Sequence, residues 1–263
     1  MRVGTYNIRY DAFKDVGWRW EQRRVGVVQQ LNDMNADLFG IDEALAHQRQ
    51  DLIHAFPEYG NIGVGRDDGK TQGEYNLLFY RRSALTLIQS GYQWISSTPH
   101  IPSTFPDAGS RRIIVWGIFV EKATDQQFLA IVTHLDDGSA AARALGAHQL
   151  LELIAQPQFS ALPVILVGDF NMAAEDPAYQ ILADTLIDAT KDADGTAITP
   201  HTYQDFSEFI PHNPALFTQL DYIFVNDRVQ TLGITHGEQI TATGRYPSDH
   251  FPIWGVFSLV SSR

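Results

Sequence analysis

The sequence contains no cysteine. This absence excludes thiol catalysis, thiolate metal sites and disulfide bonds. It does not indicate a redox compartment, because a chain without cysteine is stable in reducing and oxidising surroundings alike. A catalytic or metal site in this protein must therefore use side chains other than thiols.

Basic residues are also few. The chain has 19 Lys and Arg against 31 Asp and Glu, which gives a formal net charge of −12 at pH 7. Nonspecific attraction to nucleic acids or anionic lipids depends on Lys and Arg side chains that neutralise phosphates. The composition therefore argues against a general polyanion-binding protein, unless the few basic residues are gathered into one patch.

Long hydrophobic runs are missing too. One of the longest, Ile113–Val120, has eight residues, whereas a helix that spans a bilayer needs roughly 18 or more. The chain as given has no export signal, which predicts a cytoplasmic protein, or a secreted one if a signal segment has been removed. The apolar content of 44% is typical of a globular protein with a full core.

Shorter apolar runs rich in Val, Ile, Leu, Phe and Tyr recur along the chain and predict strands. These runs are Val3–Tyr10, Leu38–Ile41, Tyr75–Tyr80, Ile113–Val120, Phe128–Thr133, Leu162–Val167, Leu220–Val225 and Phe251–Leu259. Helical periodicity predicts helices at Trp20–Met34 and Ala140–Ile154, and the Asp176-Pro177 pair predicts the start of a third helix.

Two polar stretches that contain Gly or Pro, Gly60–Gly73 and Ala193–Asn213, are predicted to be loops. Neither is biased enough in composition to be a linker, and the chain has no repeat or low-complexity tract. We therefore expect residues 1–263 to form a single mixed α/β domain.

Polar residues interrupt, flank or end most of the apolar runs. They are Asn7, Glu43, His134, Asp169, Asn171, Asp221, Asp249 and His250. Each alone has a structural explanation, such as capping a strand or satisfying a turn. Side chains at strand ends can converge on one edge of a sheet, and this set has the oxygen-rich chemistry that Mg²⁺ or Mn²⁺ prefers. Its two histidines could move protons near neutral pH.

The sequences around these residues resemble those of the endonuclease/exonuclease/phosphatase superfamily. Its members include pancreatic-type deoxyribonucleases, inositol polyphosphate phosphatases and bacterial sphingomyelinases. Six segments carry the resemblance in the family order: Thr5–Arg9, Gly40–Ala44, Thr133–Asp136, Gly168–Asn171, Leu220–Ile223 and Ser248–Ile253. Gly168–Asn171 is the most specific of them, and the set covers nearly the whole chain.

The resemblance implies a four-layer α/β/β/α sandwich of two packed mixed β-sheets flanked by helices. It also implies Mg²⁺-dependent (or Mn²⁺-dependent) hydrolysis of a phosphate ester, and it assigns a role to each polar residue. Glu43 would hold the metal with help from Asn7 and Asp249. His250 would take the proton from the attacking water.

The remaining roles that the resemblance implies concern positioning. Asp221 would orient and stabilise the His250 ring, as acids do behind histidines in other hydrolases. Asp169 and Asn171 would position the water and the transition state, and His134 would donate a hydrogen bond to a phosphate oxygen.

Three further residues are candidates for substrate binding. Arg112 matches an arginine of related bacterial proteins and suits bidentate phosphate contact, although a surface salt bridge is an alternative. Glu74 could line the substrate mouth or lie in a solvated loop. Trp94 could stack on a sugar ring or belong to the core.

One position departs from the family pattern. The family usually has Gln before the metal-binding Glu43, and this chain has Asp42. The additional carboxylate either increases cation affinity or faces away from the metal, and it could raise a neighbouring pKa.

The leading functional hypothesis is a hydrolase for a phosphate mono- or diester of a small molecule or carbohydrate. A nuclease is the alternative within the same chemistry. The net charge of −12 disfavours duplex nucleic acid as a partner without excluding it. A non-catalytic binding module of the same fold is the third hypothesis. The sequence indicates no protein partner.

Overall fold

The computed structural model describes residues 1–198, 201–206, 218–237 and 246–260. These residues form four helices and twelve strands. The helices are α1 (Trp20–Met34), α2 (Ala46–Ala55), α3 (Ala140–Ile154) and α4 (Pro177–Ala183). The strands are β1 (Arg2–Asn7), β2 (Leu38–Ala44), β3 (Tyr59–Gly65), β4 (Tyr75–Arg81), β5 (Leu85–Trp94), β6 (Ile113–Glu121), β7 (Gln126–His134), β8 (Val164–Asp169), β9 (Ile187–Asp188), β10 (Asp221–Val225), β11 (Val229–His236) and β12 (Ile253–Leu259).

The strands form two mixed sheets of six strands each. The first has the order β11-β12-β1-β2-β4-β3 and the second the order β5-β6-β7-β8-β10-β9. Each sheet has one parallel pair at its centre, β1 with β2 and β7 with β8, and the other neighbours are antiparallel. The two sheets thus have the same central arrangement.

Three apolar clusters hold the layers together. One lies between the sheets and includes Val3, Val132 and Val167. A second joins α1 and α2 to the outer face of the first sheet, and a third joins α3 and α4 to the outer face of the second. Strand alternation explains this division, since neighbouring residues such as Leu38 and Phe39 face the inter-sheet core and the helix layer respectively. The predicted four-layer α/β/β/α sandwich is confirmed.

The topology brings six strand ends to one edge of the sandwich. Parallel pairing places the carboxyl ends of β1 and β2 side by side, and likewise those of β7 and β8. Because β12 and β10 run antiparallel to β1 and β8, their amino ends lie at the same edge. This is the edge at which the polar residues of the sequence analysis interrupt the apolar runs.

The structure corrects several boundaries. The predicted loop Gly60–Gly73 is wrong in its first part, because β3 extends to Gly65 and pairs with β4. The predicted first strand is too long at its end, since β1 stops at Asn7. Part of the predicted loop Ala193–Asn213 lies outside the described residues.

Five elements are absent from the sequence predictions: α2, β3, β5, β9 and β11. The four strands among them occupy the two outer positions of each sheet. Among the described helices, none is long and apolar enough to span a bilayer.

Candidate active site

Glu43 reaches the site because β2 is irregular where it ends. The pairing of β2 with β4 shifts register between Ile41 and Ala44, and Glu43 has a left-handed backbone with φ of 65°. Such a conformation is uncommon for a residue other than glycine and costs about 1–3 kcal/mol. The bulge turns the Glu43 carboxylate into a cleft at the strand-end edge, while Asp42 stays fully buried.

Asp42 faces away from this cleft and joins the two sheets. Its Oδ2 accepts a hydrogen bond of 3.0 Å from the backbone N–H of Asp169, which ends β8 in the other sheet. Its Oδ1 accepts from the side-chain amide of Asn76. Burial, and then the charge of Asp169, raises the pKa of Asp42 well above its ordinary value. Of the two alternatives for this residue, the structure has the one in which it faces away.

Asn7 connects the two carboxylates of the site. Its Nδ2 donates to Glu43 Oε1 at 3.1 Å and to Asp169 Oδ2 at 2.9 Å, and its Oδ1 accepts from the Arg9 backbone N–H at 3.0 Å. Asn7 is fully buried. In this arrangement Asn7 supports a metal site by orienting Glu43 and Asp169, whereas its direct ligation stays a prediction.

His250 and Asp221 form a buried pair. Nδ1 of His250 lies 2.8 Å from Asp221 Oδ2, so Nδ1 carries the proton that the carboxylate accepts. The other ring nitrogen, Nε2, is 3.6 Å from Asp169 Oδ2. Burial lowers the pKa of His250, but Asp221, Asp169 and Asp249 together raise it well above its ordinary value. The pair therefore has the orientation that a base and its supporting acid need.

His134 and Asn171 form a second pair on the other side of Asp169. The Asn171 amide nitrogen lies 2.9 Å from His134 Nε2 and donates to Leu135 O at 3.1 Å. Nε2 of His134 then accepts, so its predicted donation to a phosphate oxygen requires a change of tautomer. Burial, with Arg112, Arg66 and His250, holds the pKa of His134 well below its ordinary value, which keeps the ring neutral.

The carboxylates crowd together in a way that fits a divalent cation. Ligand atoms of Glu43, His134 and Asp169 lie within 4.8 Å of one another, and Asp249 also lines the cleft. Burial raises the pKa of Asp169 to about 7 and also raises that of Asp249, in which the charge of Glu43 is a further cause. A cation held by these oxygens would relieve the repulsion, and the donor set suits Mg²⁺ or Mn²⁺.

The cleft has a volume of about 450 Å³. Most predicted residues line it: Glu43, Glu74, Arg112, His134, Asp169, Asn171, Asp249 and His250. Eight further residues line it: Arg9, Tyr10, Lys14, Arg66, Ser110, Asp137, Tyr203 and Leu220. Arg9 could have been found, because it ends the Thr5–Arg9 segment.

Tyr203 shows why sequence reasoning missed some of these residues. It lies in a predicted loop, and an isolated antiparallel bridge to His250 sets its position. Its ring contacts the His250 ring edge-on, with 5.0 Å between centroids. The contact joins segments far apart in the chain, so no local pattern indicates it.

Two ion pairs form part of the wall of the cleft. Arg66 Nη2 donates to Glu74 Oε1 at 2.7 Å, and Arg112 Nη2 donates to Asp137 Oδ1 at 2.9 Å. Burial, and then the charge of Glu43, raises the pKa of Glu74 to about 7. Both predicted binding residues, Arg112 and Glu74, therefore reach the cleft.

Trp94 does not line the cleft. It is 3% exposed, packs in the inter-sheet core, and its indole Nε1 donates to the Arg66 carbonyl at 2.7 Å. The predicted stacking on a sugar ring is therefore wrong, since no face of the indole is free. Trp94 instead supports the backbone of Arg66.

Comparison with known protein families gives a match that covers most of the chain. The model of the endonuclease/exonuclease/phosphatase family matches residues 4–250. The chain belongs to this family. A search of curated proteins found no match.

Solved structures agree with this assignment. A family member from Bacteroides vulgatus is 32% identical, with a TM-score of 0.88 and 98% of each chain covered. A mannosyl-6-phosphatase from Bacteroides thetaiotaomicron is 30% identical, with a TM-score of 0.85, and covers 98% of this chain and 100% of its own. The D. rerio TDP2 complex with a single-strand DNA product is 17% identical, with a TM-score of 0.76 over 98% of each chain, and shares the fold. Members of the endonuclease/exonuclease/phosphatase family are hydrolases of phosphate esters, so the predicted hydrolase class is confirmed.

Proposed function

We propose that this protein hydrolyses a phosphate ester of a small molecule, in particular of a carbohydrate, with Mg²⁺ or Mn²⁺ as cofactor. The observation that carries the proposal is that His250, Glu43 and Asp169 line one cleft, in which His250 Nε2 lies 3.6 Å from Asp169 Oδ2. A proton acceptor and a cation site then face the same small volume. Phosphoryl transfer requires these two groups and little other chemistry from a protein.

His250 would act as the general base. Asp221 holds the proton on Nδ1, so Nε2 is the nitrogen that takes a proton from water once the ring is neutral. A cation held by Asp169 and Asp249 would offset the carboxylate charges that raise the pKa of His250. The imidazolium that forms is stabilised by Asp221, which is itself fully buried. When a divalent cation is bound, it neutralises charge on the phosphate oxygens and lowers the pKa of water.

Glu43, Asp169 and Asp249 would hold the cation. Asn7 orients the first two through its amide, and Asp42 fixes the backbone of Asp169 from the opposite sheet. Asn171 would position the phosphate beside His134, because its backbone N–H donates to Asp169 Oδ1 and its side-chain amide lies 2.9 Å from His134 Nε2.

The residues in the wall of the cleft favour a small leaving group that carries several hydroxyl groups. Glu74 and Asp137 place carboxylates there, and carboxylates accept hydrogen bonds from hydroxyl groups. They repel further phosphates, which a polynucleotide would bring. The 30% identical mannosyl-6-phosphatase agrees with a sugar phosphate as substrate.

A nuclease is the alternative function, favoured by the fold shared with TDP2 in its DNA complex. A duplex nuclease needs several phosphate contacts from basic residues, and the net charge of −12 opposes them. A binding module of the same fold is the third alternative. A binding module would not need the buried His250–Asp221 pair. Burying charged groups costs free energy, and binding alone gives no reason to keep this pair.

The test is a substrate panel with Mg²⁺, with Mn²⁺ and with EDTA. The panel contains mannose 6-phosphate, glucose 6-phosphate, an inositol phosphate, sphingomyelin and plasmid DNA. We expect phosphate release from sugar phosphates that EDTA abolishes. Glu43→Gln should lower kcat by at least ~10², because it deletes a charged metal ligand.

Glu152→Gln is the matched control, since Glu152 is exposed on α3 away from the cleft, and it should keep wild-type activity. Nicking of plasmid DNA with sugar phosphates untouched would favour the nuclease. Unchanged turnover in EDTA would contradict the metal mechanism.

A further inference from the structure

We propose that the cleft is selective for phosphomonoesters over phosphodiesters, and that Arg112 determines this selectivity by binding the third non-bridging oxygen of a terminal phosphate. The inference rests on the proposed function and adds to it the class of ester that is cleaved. It rests on two buried side-chain nitrogens of Arg112 that have no hydrogen-bond partner among the described residues.

Arg112 is a buried cation with unused donors. The residue immediately precedes β6 and is 5% exposed. Its Nη2 donates to Asp137, but among the described residues its Nε and Nη1 have no hydrogen-bond partner, although both atoms are buried. Leaving buried donors unpaired is costly, and more so for a charged group. An acceptor supplied by the substrate would remove that cost.

The other arginines of the cleft also form ion pairs, and none of their side-chain nitrogens is both buried and unpaired among the described residues. Arg66 pairs with Glu74 at 2.7 Å, and Arg9 pairs with Asp15 at 2.9 Å and with Asp249 at 3.4 Å. The partner of Arg112, Asp137, has a side chain that is 67% exposed, so solvent screens that ion pair. Within the described lining of the cleft, Arg112 is the arginine with buried nitrogens left for an anion.

Arg112 lines the same cleft as His134 and Asn171. Its charge is one cause of the lowered pKa of His134. A terminal phosphate could then meet three separate groups: the cation at Glu43 and Asp169, the His134–Asn171 pair, and Arg112.

Three contacts correspond to the chemistry of a monoester. A phosphomonoester has three non-bridging oxygens and a charge of about −1.5 to −2 at pH 7. A phosphodiester has two such oxygens and one charge, and its third position is an ester oxygen that carries a second substituent. A diester would therefore offer the unpaired Nε and Nη1 of Arg112 an ester oxygen in place of a charged one.

The experiment compares 4-nitrophenyl phosphate with methyl 4-nitrophenyl phosphate. The two substrates have the same leaving group and differ by one methyl group on a phosphate oxygen. We measure kcat/KM for the wild type, Arg112→Met and Arg112→Lys, with Mg²⁺ present. Arg111→Met is the matched control, because Arg111 is the neighbouring arginine, is exposed, and does not line the cleft.

We expect the wild type to prefer the monoester. Arg112→Met should lower kcat/KM for the monoester about 10- to 100-fold, the range expected for loss of hydrogen bonds to a charged group, and should change the diester less than about 3-fold. Arg112→Lys retains charge without the fork of donors and should also lower the monoester-to-diester ratio. It replaces Arg112→Met if circular dichroism shows that variant to be unfolded.

Equal losses for both substrates, or an unchanged ratio in folded Arg112→Met and Arg112→Lys, would overturn the inference while the proposed hydrolase function stands. A wild type that prefers the diester would overturn it as well. No hydrolysis of either substrate or of the sugar phosphates would instead overturn the proposed function, and the inference with it. Inhibition by inorganic phosphate gives a second readout, because the inhibition constant should rise in Arg112→Met and not in Arg111→Met.

Discussion

At the scale of single residues, the site depends on which way each side chain points. Asp42 and Glu43 are neighbours in sequence, yet one joins the two sheets and the other lines the cleft. The family pattern identified Glu43 and left the direction of Asp42 open. The direction depends on the bulge between Ile41 and Ala44, a feature of strand pairing that the order of residues does not reveal.

The His250–Asp221 pair provides a test at this scale. His250→Asn should lower kcat by at least ~10², because asparagine cannot carry a proton near neutral pH. Asp221→Asn should also lower kcat substantially, since an amide stabilises neither the correct tautomer nor the imidazolium. The double variant should lose little more than His250→Asn, as groups that act as a unit do.

The measurement is kcat of both single variants and the double variant on the best substrate, with circular dichroism to verify folding. His148→Asn is the control, because His148 is exposed on α3. Wild-type turnover in folded His250→Asn would remove His250 from the mechanism. Additive losses would indicate that Asp221 serves the metal or the fold.

At the scale of elements, the central strands were predictable and the outer ones were not. Central strands such as β6 and β7 are buried along most of their length and read as continuous apolar runs. Edge strand β5 is buried only at its two end residues, Leu85 and Trp94, and β11 only at Val229. Helix α2 has only two buried residues, Gln48 and Leu52. These elements owe their structure to the neighbours they pack against, which the sequence does not show locally.

The six motif segments could be recognised in the sequence because of where they lie in the sheets. They sit at the ends of central strands, where the apolar runs make the strands easy to find. The residues that were missed, such as Tyr203 and Asp137, lie in the connecting loops. Their places follow from tertiary contacts, for example the bridge between Tyr203 and His250.

The hydrogen bond from Asp169 N–H to Asp42 links β8 to β2 and can be tested separately from the metal site. Asp42→Asn retains an oxygen acceptor, and Asn76 can turn its amide to suit, so kcat should stay within about 3-fold of wild type. Asp42→Leu leaves the Asp169 N–H unpaired and should reduce the free energy of unfolding by about 1–3 kcal/mol.

The readouts are kcat, denaturant unfolding, and the ratio of activity with Mg²⁺ to activity with Mn²⁺. That ratio should be the same in wild type and Asp42→Asn, because the carboxylate of Asp42 faces away from the cleft. A change in the ratio would mean that Asp42 contributes to the cation site after all.

At the scale of the whole molecule, we expect stability to depend on pH and, through the proposed cation site, on divalent cations. Burial raises the pKa of both Asp169 and Glu74 to about 7. At pH values between the ordinary pKa of a carboxyl group and about 7, these two groups are protonated in the folded protein and ionised in the unfolded chain. Their contribution to stability is therefore complete below about pH 4 and is lost as pH rises through about 7.

We expect the melting temperature of the metal-free protein to fall between about pH 6 and about pH 8, and Mg²⁺ to raise it more at the higher pH, where the cation replaces the lost protons. The raised pKa of His250 acts in the same direction, while the lowered pKa of His134 matters only below about pH 6.5.

Thermal unfolding in EDTA and in Mg²⁺ at both pH values checks this expectation, with sodium chloride of equal ionic strength as the control for screening. Glu43→Gln should lose most of the Mg²⁺ effect. A Mg²⁺ effect of equal size at both pH values would contradict the linkage.

The order of strands in the first sheet also affects how the chain folds while it is being synthesised. Strand β12, the last of the described strands in the chain, is inserted between β11 and β1, and His250 precedes it by a few residues. During translation the edge of β1 that pairs with β12 must therefore stay unpaired until β12, far along the chain, has been synthesised. The proposed base, His250, is synthesised just before the strand that completes this pairing, so a chain that ends before residue 250 lacks both.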